Sequence, residues 1–267
     1  MRKSVAVSTF VTGFGPIVFS GELHTKLHLI KDLGYDGIDL FIKRPDEPGL
    51  ERLLQLVREE GLDVVMVAAV SAAVDEGLSL TDRDAGVRNA LIERMAGQIA
   101  LAGKLGAMVP IGLVRGSAAP GEPKSAVLER LAASLHRLQQ IAYGHGVSLI
   151  LEPINRYETN LINSVDDALE FMNDYDLPLR LLLDTFHMNI EEVSIEGSIE
   201  KARGLIGHVH FADSNRWSAG MGHLDFSSIV AALRKVGYEG FLSSEVLPLP
   251  DPMASAKQAA AYMSQVI

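Results

Sequence analysis

The sequence predicts an α/β protein built as one (β/α)8 TIM barrel over residues 1–267. Three observations predict it: eight short apolar runs alternate with amphipathic segments, each strand–helix unit takes about 30 residues, and no linker composition interrupts the chain. A length of 267 residues also suits a single barrel, which typically takes about 250 residues. An open sheet or two smaller domains fit this regular alternation less well.

The eight apolar runs are predicted to be the strands of the barrel. Each run is nearly continuous in apolar residues until its last two or three positions, which is typical of parallel strands buried on both faces. In chain order the runs cover residues 4–10, 37–42, 62–69, 106–114, 147–153, 179–187, 206–214 and 240–248.

The segments between the runs have the apolar spacing of amphipathic helices. Leu53, Leu54 and Val57, for example, follow Leu50 by three, four and seven positions, which places all of them on one helix face. Several helices are predicted to end at a glycine just before the next strand, a frequent helix stop signal. These glycines are Gly34, Gly61, Gly106, Gly146 and Gly237.

Composition excludes several kinds of partner and site. The chain has 24 Lys and Arg against 34 Asp and Glu, a net charge of −10, which disfavours nucleic acid or an anionic membrane as a partner. It has no cysteine, so disulfides, thiolate catalysis and cysteine-ligated zinc are excluded. No apolar run reaches the roughly 18 residues that span a bilayer, and the first run is too short for a signal peptide. We therefore expect a cytoplasmic protein.

Four residues of metal-ligating type stand at the ends of four successive predicted strands. Glu152 ends LILE, Asp184 ends LLLD, His210 lies in HVHFAD and Glu245 ends FLSSE. The C-terminal ends of barrel strands meet at one face, where active sites lie. Three carboxylates and an imidazole repel one another there unless a cation lies among them. Any one carboxylate could instead cap the following helix, but the shared register favours a metal site.

The predicted ligands also indicate which metal they hold. Oxygen-rich ligands with one nitrogen favour Mn²⁺, Mg²⁺ or Co²⁺ over structural zinc. Three further polar residues, Glu158, His187 and Arg216, follow strands five, six and seven and are expected on loops over the same face. His208 shares a strand face with His210 because side chains alternate with a period of two. It is expected to be either a buried, hydrogen-bonded histidine of the core, which is the favoured alternative, or a support for the metal ligand.

The motifs around these positions resemble those of a known enzyme family. ILEPINRYETN, LLLDTFHMNIEE, HVHFADSNRWSAGMGHLDF and SEVLPLP are similar to the xylose-isomerase-like TIM barrels of the D-tagatose 3-epimerase and D-psicose 3-epimerase group. The resemblance covers essentially the whole chain, and within the group it is strongest to the 5-keto-L-gluconate epimerases. It implies a divalent ion, Mn²⁺ first, held by Glu152, Asp184, His210 and Glu245.

The resemblance also implies a reaction. Glu152 and Glu245 would remove and return a proton beside the ketone of a ketose or keto-sugar acid, through a cis-enediolate. Glu158, His187 and Arg216 match positions that contact the ketone end of the sugar. The expected partner is a small sugar or sugar acid, foremost 5-keto-L-gluconate or D-tagaturonate. A homo-oligomer, dimer or tetramer, is also implied.

Arg115, in GLVRG after the fourth predicted strand, is the candidate for selecting a sugar acid. An arginine there could bind the substrate carboxylate through two parallel hydrogen bonds. The alternative is an ion pair with a protein carboxylate such as Glu158 or Glu76.

Other functions fit part of the pattern. A ketose 3-epimerase of the D-tagatose or D-psicose type, or an aldose–ketose isomerase, would use the same residues, although carboxylates at both Glu152 and Glu245 favour epimerisation. A metal hydrolase of the endonuclease IV type would need more histidines at the barrel mouth and a basic surface. A non-catalytic sugar-binding barrel would not require every ligand and acid–base position to be filled.

Overall fold

The computed structural model describes residues 1–11 and 15–267, which form a nearly closed barrel of parallel strands. The strands are β1 (Arg2–Ser8), β2 (Phe19–Ser20), β3 (Gly37–Phe41), β4 (Asp63–Ala68), β5 (Val109–Ile111), β6 (Leu149–Leu151), β7 (Arg180–Asp184), β8 (Ile206–His210) and β9 (Phe241–Ser244). They follow one another in the order β4-β3-β1-β9-β8-β7-β6-β5, and the short β2 pairs with β1. A parallel bridge between Met66 and Met108 brings β4 against the chain entering β5. The predicted (β/α)8 barrel is therefore confirmed.

Helices surround the strands. They are α1 (Leu27–Asp32), α2 (Leu50–Glu59), α3 (Val70–Val74), α4 (Ala85–Leu105), α5 (Lys124–His145), α6 (Val165–Asp174), α7 (Thr185–Glu191), α8 (Ile195–Lys201), α9 (Phe226–Lys235) and α10 (Pro252–Val266). The five predicted glycines before strands all have a positive φ. Gly106, for example, ends α4 with a φ of 67° and donates its backbone N–H to the Ala102 carbonyl, a conformation that favours glycine. Within the described parts of the chain, no helix is long and apolar enough to cross a membrane.

All eight predicted strands end one to four residues before the end of their apolar run, and two of these differences move a site residue. The run 106–114 breaks after Ile111 and continues as a 3-10 turn over Leu113–Arg115. The run 179–187 ends at Asp184, because the carboxylate of that residue accepts a hydrogen bond from the Phe186 N–H and caps α7. His187 consequently lies in a helix and not in a loop.

Alternation along the strands decides which side chains enter the barrel. Outward-facing residues such as Val5 and Leu183 pack in the large core that includes the helices. The alternate positions contribute to a smaller apolar cluster, whose members are Ala6, Ile17, Phe41, Met66, Ala68, Val70, Ile150 and Leu182. Glu152 and Asp184 stand two positions after Ile150 and Leu182 and so point to the same interior. Asp184 on β7 is in register with His210 on β8, and β8 is the neighbour of β9.

The smaller apolar cluster lies directly below the polar residues Glu152 and Asp184 at the mouth of the barrel. Leu182 is fully buried in this cluster. We predict that Leu182→Ala lowers the free energy of unfolding by about 2–5 kcal/mol, because the closed barrel cannot collapse onto the cavity that the substitution leaves. Urea denaturation measures the change. Val193→Ala, at an exposed position, is the matched control and should change stability by less than about 0.5 kcal/mol. A similarly small loss for Leu182→Ala would contradict this account of the interior.

Candidate metal centre and substrate cavity

The structure brings the four predicted metal ligands together at the C-terminal mouth of the barrel. Glu152, Asp184, His210 and Glu245 each offer one ligand atom, and these atoms lie within 4.8 Å of one another. All four side chains are buried. Nδ1 of His210 faces the three carboxylates, at 3.3 Å from Glu245 Oε2, 3.8 Å from Glu152 Oε1 and 3.9 Å from Asp184 Oδ2.

The donor set fits a divalent cation. Oδ1 of Asp184 accepts the hydrogen bond that caps α7, whereas Oδ2 is buried and has no hydrogen-bond partner among the described residues. A buried carboxylate oxygen without a partner is costly unless a proton or a metal satisfies it. Three carboxylates and one imidazole make a hard, oxygen-rich ligand set of the kind that Mn²⁺ or Mg²⁺ takes.

The pKa values of the three carboxyl groups show that their burial together is unfavourable without a cation. Burial, with the charge of Glu245 next in size, raises the pKa of Glu152 to about 8. Burial also raises the pKa of Asp184, to about 6. For Glu245 burial acts in the same direction, but His210 and Arg216 outweigh it and hold the pKa below its usual value. In the metal-free protein the cluster therefore retains protons, which a bound cation would displace.

Asp39, on β3, is a residue of the site that the sequence analysis missed. Its fully buried Oδ2 accepts a hydrogen bond from His208 Nε2 at 2.8 Å and lies 3.3 Å from Nε2 of His210. Burial alone would raise the pKa of Asp39, but the two imidazoles lower it well below its usual range. The predicted buried position of His208 is confirmed. The available signal was a single aspartate inside an otherwise apolar strand, GIDLF.

Glu158, His187 and Arg216 lie together beside the metal ligands. Nη1 of Arg216 donates to Glu158 Oε1 at 3.0 Å, and its Nη2 lies 3.5 Å from Glu245 Oε2. Nε2 of His187 lies 3.8 Å from Glu152 Oε1. Burial lowers the pKa of His187 well below its usual value, and Arg216 adds to that effect. All three side chains therefore reach the place where a ligand of the metal cluster would lie.

Asn155 is a second residue that the sequence analysis missed. Its buried side chain connects Glu158 with His187, because Nδ2 lies 2.9 Å from Glu158 Oε1 and 2.7 Å from His187 Nδ1. Asn155 is part of the motif EPINRYETN. Its role could not be predicted from the sequence, because it depends on the contact with His187 on α7.

Arg115 lies elsewhere than predicted. Its side chain is fully buried, and its guanidinium donates to the backbone carbonyls of Glu152 and Ile162. The carboxylates considered as alternative partners bind other arginines, since Glu76 pairs with Arg94 and Glu158 with Arg216. We therefore correct the prediction that Arg115 binds a substrate carboxylate: the 3-10 turn directs it into the interior, where it holds the backbone that carries Glu152.

A cavity opens above the metal cluster. One side of it is polar and is formed by Glu152, Glu158, His187, His210, Arg216 and Glu245. The other side is apolar and is formed mainly by Phe41, Met66, Ala68, Val70, Leu113, Val114 and Ile154. Among the described residues that line it, Arg216 is the one lysine or arginine. A ligand would therefore meet its polar contacts at one end and an apolar wall at the other.

Comparisons with known proteins agree with this geometry. The family model described as xylose isomerase-like TIM barrel matches residues 27–266. An L-ribulose 3-epimerase from Mesorhizobium japonicum is 33% identical over 229 residues, which are 84% of this chain and 75% of that protein. A 3-dehydro-D-guloside 4-epimerase from Escherichia coli is 30% identical over 252 residues, 92% of this chain and 95% of that protein.

A solved structure gives the same result in three dimensions. The structure of an L-ribulose 3-epimerase superposes with a TM-score of 0.82 and 31% identity, covering 99% of this chain and 94% of that one. The resemblance inferred from the sequence motifs is thereby confirmed at the level of the family. The chain belongs to the xylose isomerase-like TIM barrel family and is an isomerase of the epimerase type.

Proposed function

We propose that the protein is a divalent-metal-dependent epimerase of an uncharged ketose or keto-sugar and inverts the carbon beside the ketone. The observation that carries this proposal is the convergence of Glu152, Asp184, His210 and Glu245 in one cluster, of which Glu152, His210 and Glu245 line the cavity. The similar proteins named as L-ribulose 3-epimerase and 3-dehydro-D-guloside 4-epimerase support the reaction class.

The four clustered side chains would hold the ion. Mn²⁺ suits three carboxylates and one imidazole best, with Mg²⁺ or Co²⁺ next. When bound, the ion would polarise the ketone of the sugar and increase the acidity of the neighbouring C–H group.

Glu152 and Glu245 are the proposed acid–base pair. They follow β6 and β9, the first and last of the four strands that carry the cluster, and both line the cavity. One carboxylate removes the proton beside the ketone, which leaves a planar enediolate, and the other returns a proton from the opposite face.

His187 and Arg216 are proposed to stabilise the enediolate. Arg216 is held in place by Glu158 and is only 12% exposed, so its charge acts in a site from which most water is excluded. His187 Nε2 faces the same space between Glu152 and Asp184, at 3.8 Å and 3.7 Å from their carboxylate oxygens. Both groups therefore lie where negative charge on the substrate oxygen would develop.

The cavity favours an uncharged sugar over a sugar acid. The carboxylate of 5-keto-L-gluconate or D-tagaturonate would add a negative charge beside three carboxylates or against an apolar wall. Arg115, the cation predicted to receive it, is buried against backbone carbonyls. Arg216 already pairs with Glu158. A hydrolase acting on DNA is also disfavoured, because the net charge is −10.

Exchange of substrate hydrogen with solvent tests the proposed reaction. The Mn²⁺-loaded protein is incubated in D₂O with L-ribulose, D-psicose, D-tagatose, 5-keto-L-gluconate and D-tagaturonate, and NMR spectra are recorded after removal of the metal. We expect deuterium beside the ketone together with the epimer, fastest for an uncharged ketose. Glu152→Gln and Glu245→Gln should each lower turnover about 10²–10⁴-fold, because each removes one proton-transferring group.

Controls separate this reaction from its alternatives. Glu200→Gln changes an exposed glutamate that pairs with Lys235 and should leave turnover unchanged. Deuterium exchange with an aldose product and no epimer would indicate an aldose–ketose isomerase. Exchange confined to the two sugar acids would contradict the assignment of an uncharged substrate, and no exchange with any sugar would overturn the proposed function.

Metal affinity should depend on Asp39, although this residue is not a predicted ligand. Asp39→Asn removes the negative charge that faces Nε2 of His208 and His210. We predict that the Kd for Mn²⁺, measured by titration calorimetry, rises about 10- to 100-fold, because a histidine ligand loses the carboxylate that orients it. Asp36→Asn, three positions earlier and bonded to the Lys3 N–H, should leave the Kd unchanged. Equal Kd values for Asp39→Asn and the wild type would refute the orienting role.

A further inference from the structure

The side chain of Asn155 has a partner for both of its polar atoms. It lies in the loop after β6 and is 1% exposed. Nδ2 lies 2.9 Å from Glu158 Oε1 and 2.7 Å from His187 Nδ1. Oδ1 accepts a hydrogen bond from the backbone N–H of Tyr157 at 3.0 Å. The amide is therefore held from three directions.

These contacts determine which way the amide points. With the amide reversed, its oxygen would face the Glu158 carboxylate, and its NH₂ group would face the Tyr157 N–H, so acceptor would meet acceptor and donor would meet donor. Glu158 Oε1 also receives a hydrogen bond from Arg216 at 3.0 Å, which keeps this oxygen an acceptor. The atom that faces His187 Nδ1 is therefore the NH₂ nitrogen.

We propose that Asn155 is a positioning residue that fixes the tautomer of His187. Because the Asn155 amide donates to Nδ1, that ring nitrogen carries no hydrogen, and the imidazole hydrogen resides on Nε2. Nε2 faces the cavity, 3.7 Å from Asp184 Oδ2 and 3.8 Å from Glu152 Oε1. His187 is thus presented to the cavity as an N–H donor.

The consequence for catalysis rests on the proposed epimerase function. An Nε2–H group can donate a hydrogen bond to the substrate oxygen as negative charge develops on it. The opposite tautomer would present a lone pair to that oxygen and repel it. Asn155 would therefore act on the reaction through His187 without touching the sugar.

Nitrogen NMR of the histidine rings tests the tautomer without any substrate. The protein is labelled with ¹⁵N-histidine and measured metal-free and with Mg²⁺, and the His187 signals are identified from their loss in His187→Gln. For the wild type we expect a hydrogen on Nε2 and none on Nδ1. In Asn155→Asp a carboxylate faces Nδ1, so that nitrogen should gain a hydrogen.

Asn163 provides a matched control. Its Nδ2 donates to the backbone carbonyls of Ile154 and Thr159, so it supports the same loop without contacting His187. Asn163→Asp should leave the His187 tautomer as in the wild type. A wild-type His187 with its hydrogen on Nδ1, or an unchanged tautomer in Asn155→Asp, would overturn the proposal. If Asn155→Asp does not fold, the wild-type spectrum alone still shows which ring nitrogen of His187 carries the hydrogen.

Kinetics test the consequence separately. We expect Asn155→Asp and Asn155→Leu to lower kcat about 10- to 100-fold and to change KM less than about threefold, since the donated hydrogen bond strengthens mainly in the transition state. Loss of kcat without a change of tautomer would overturn the positioning role. Absence of turnover with any sugar in the wild type would instead overturn the proposed function and leave the tautomer assignment standing.

Discussion

Mutual repulsion among buried carboxylates is the constraint on which the rest of the site depends. Glu152, Asp184 and Glu245 place three acidic groups within 4.8 Å of one another, away from water. Such a group of charges is unfavourable unless protons or a cation neutralise it. Burial, with the charge of Glu245 added to it, raises the pKa values of Glu152 and Asp184 in the metal-free protein. A divalent ion would neutralise these carboxylates and would also supply the chemistry that an epimerase needs.

The barrel explains why these side chains meet. Parallel strands in register put every second residue inside, so the apolar Ile150 and Leu182 are followed by Glu152 and Asp184 at the mouth. The interior also contains polar groups below the mouth, because Asp39 on β3 reaches His208 and His210 on β8. His210, the proposed ligand, therefore has a negative charge on the side away from the cluster, while Arg115 holds the backbone at Glu152. The residues that support the cluster, Asp39, His208 and Arg115, are themselves fully buried.

Much of this could be predicted from the sequence, and the reasons are physical. The barrel and the ligands at its mouth follow from short-range patterns, since apolar runs, strand-end polar residues and glycines after helices are all local. The roles of Asp39, Asn155 and Arg115 depend on contacts between elements distant in the chain. Asp39 meets His208 across 169 positions, and Asn155 meets His187 across 32. Arg115 looked like a substrate contact because its strand was predicted to continue to residue 114, whereas the strand ends at Ile111 and the following 3-10 turn redirects the side chain.

Diffraction from Mn²⁺-soaked crystals, recorded at the manganese absorption edge, tests whether the four clustered side chains hold a metal ion. We expect one strong anomalous peak per chain, about 2.1 Å from ligand atoms of Glu152, Asp184, His210 and Glu245. The neutral ring of His187 should lie outside this coordination shell. A peak bound by other residues, or density for a protonated, metal-free carboxylate cluster at saturating Mn²⁺, would contradict the proposed metal site.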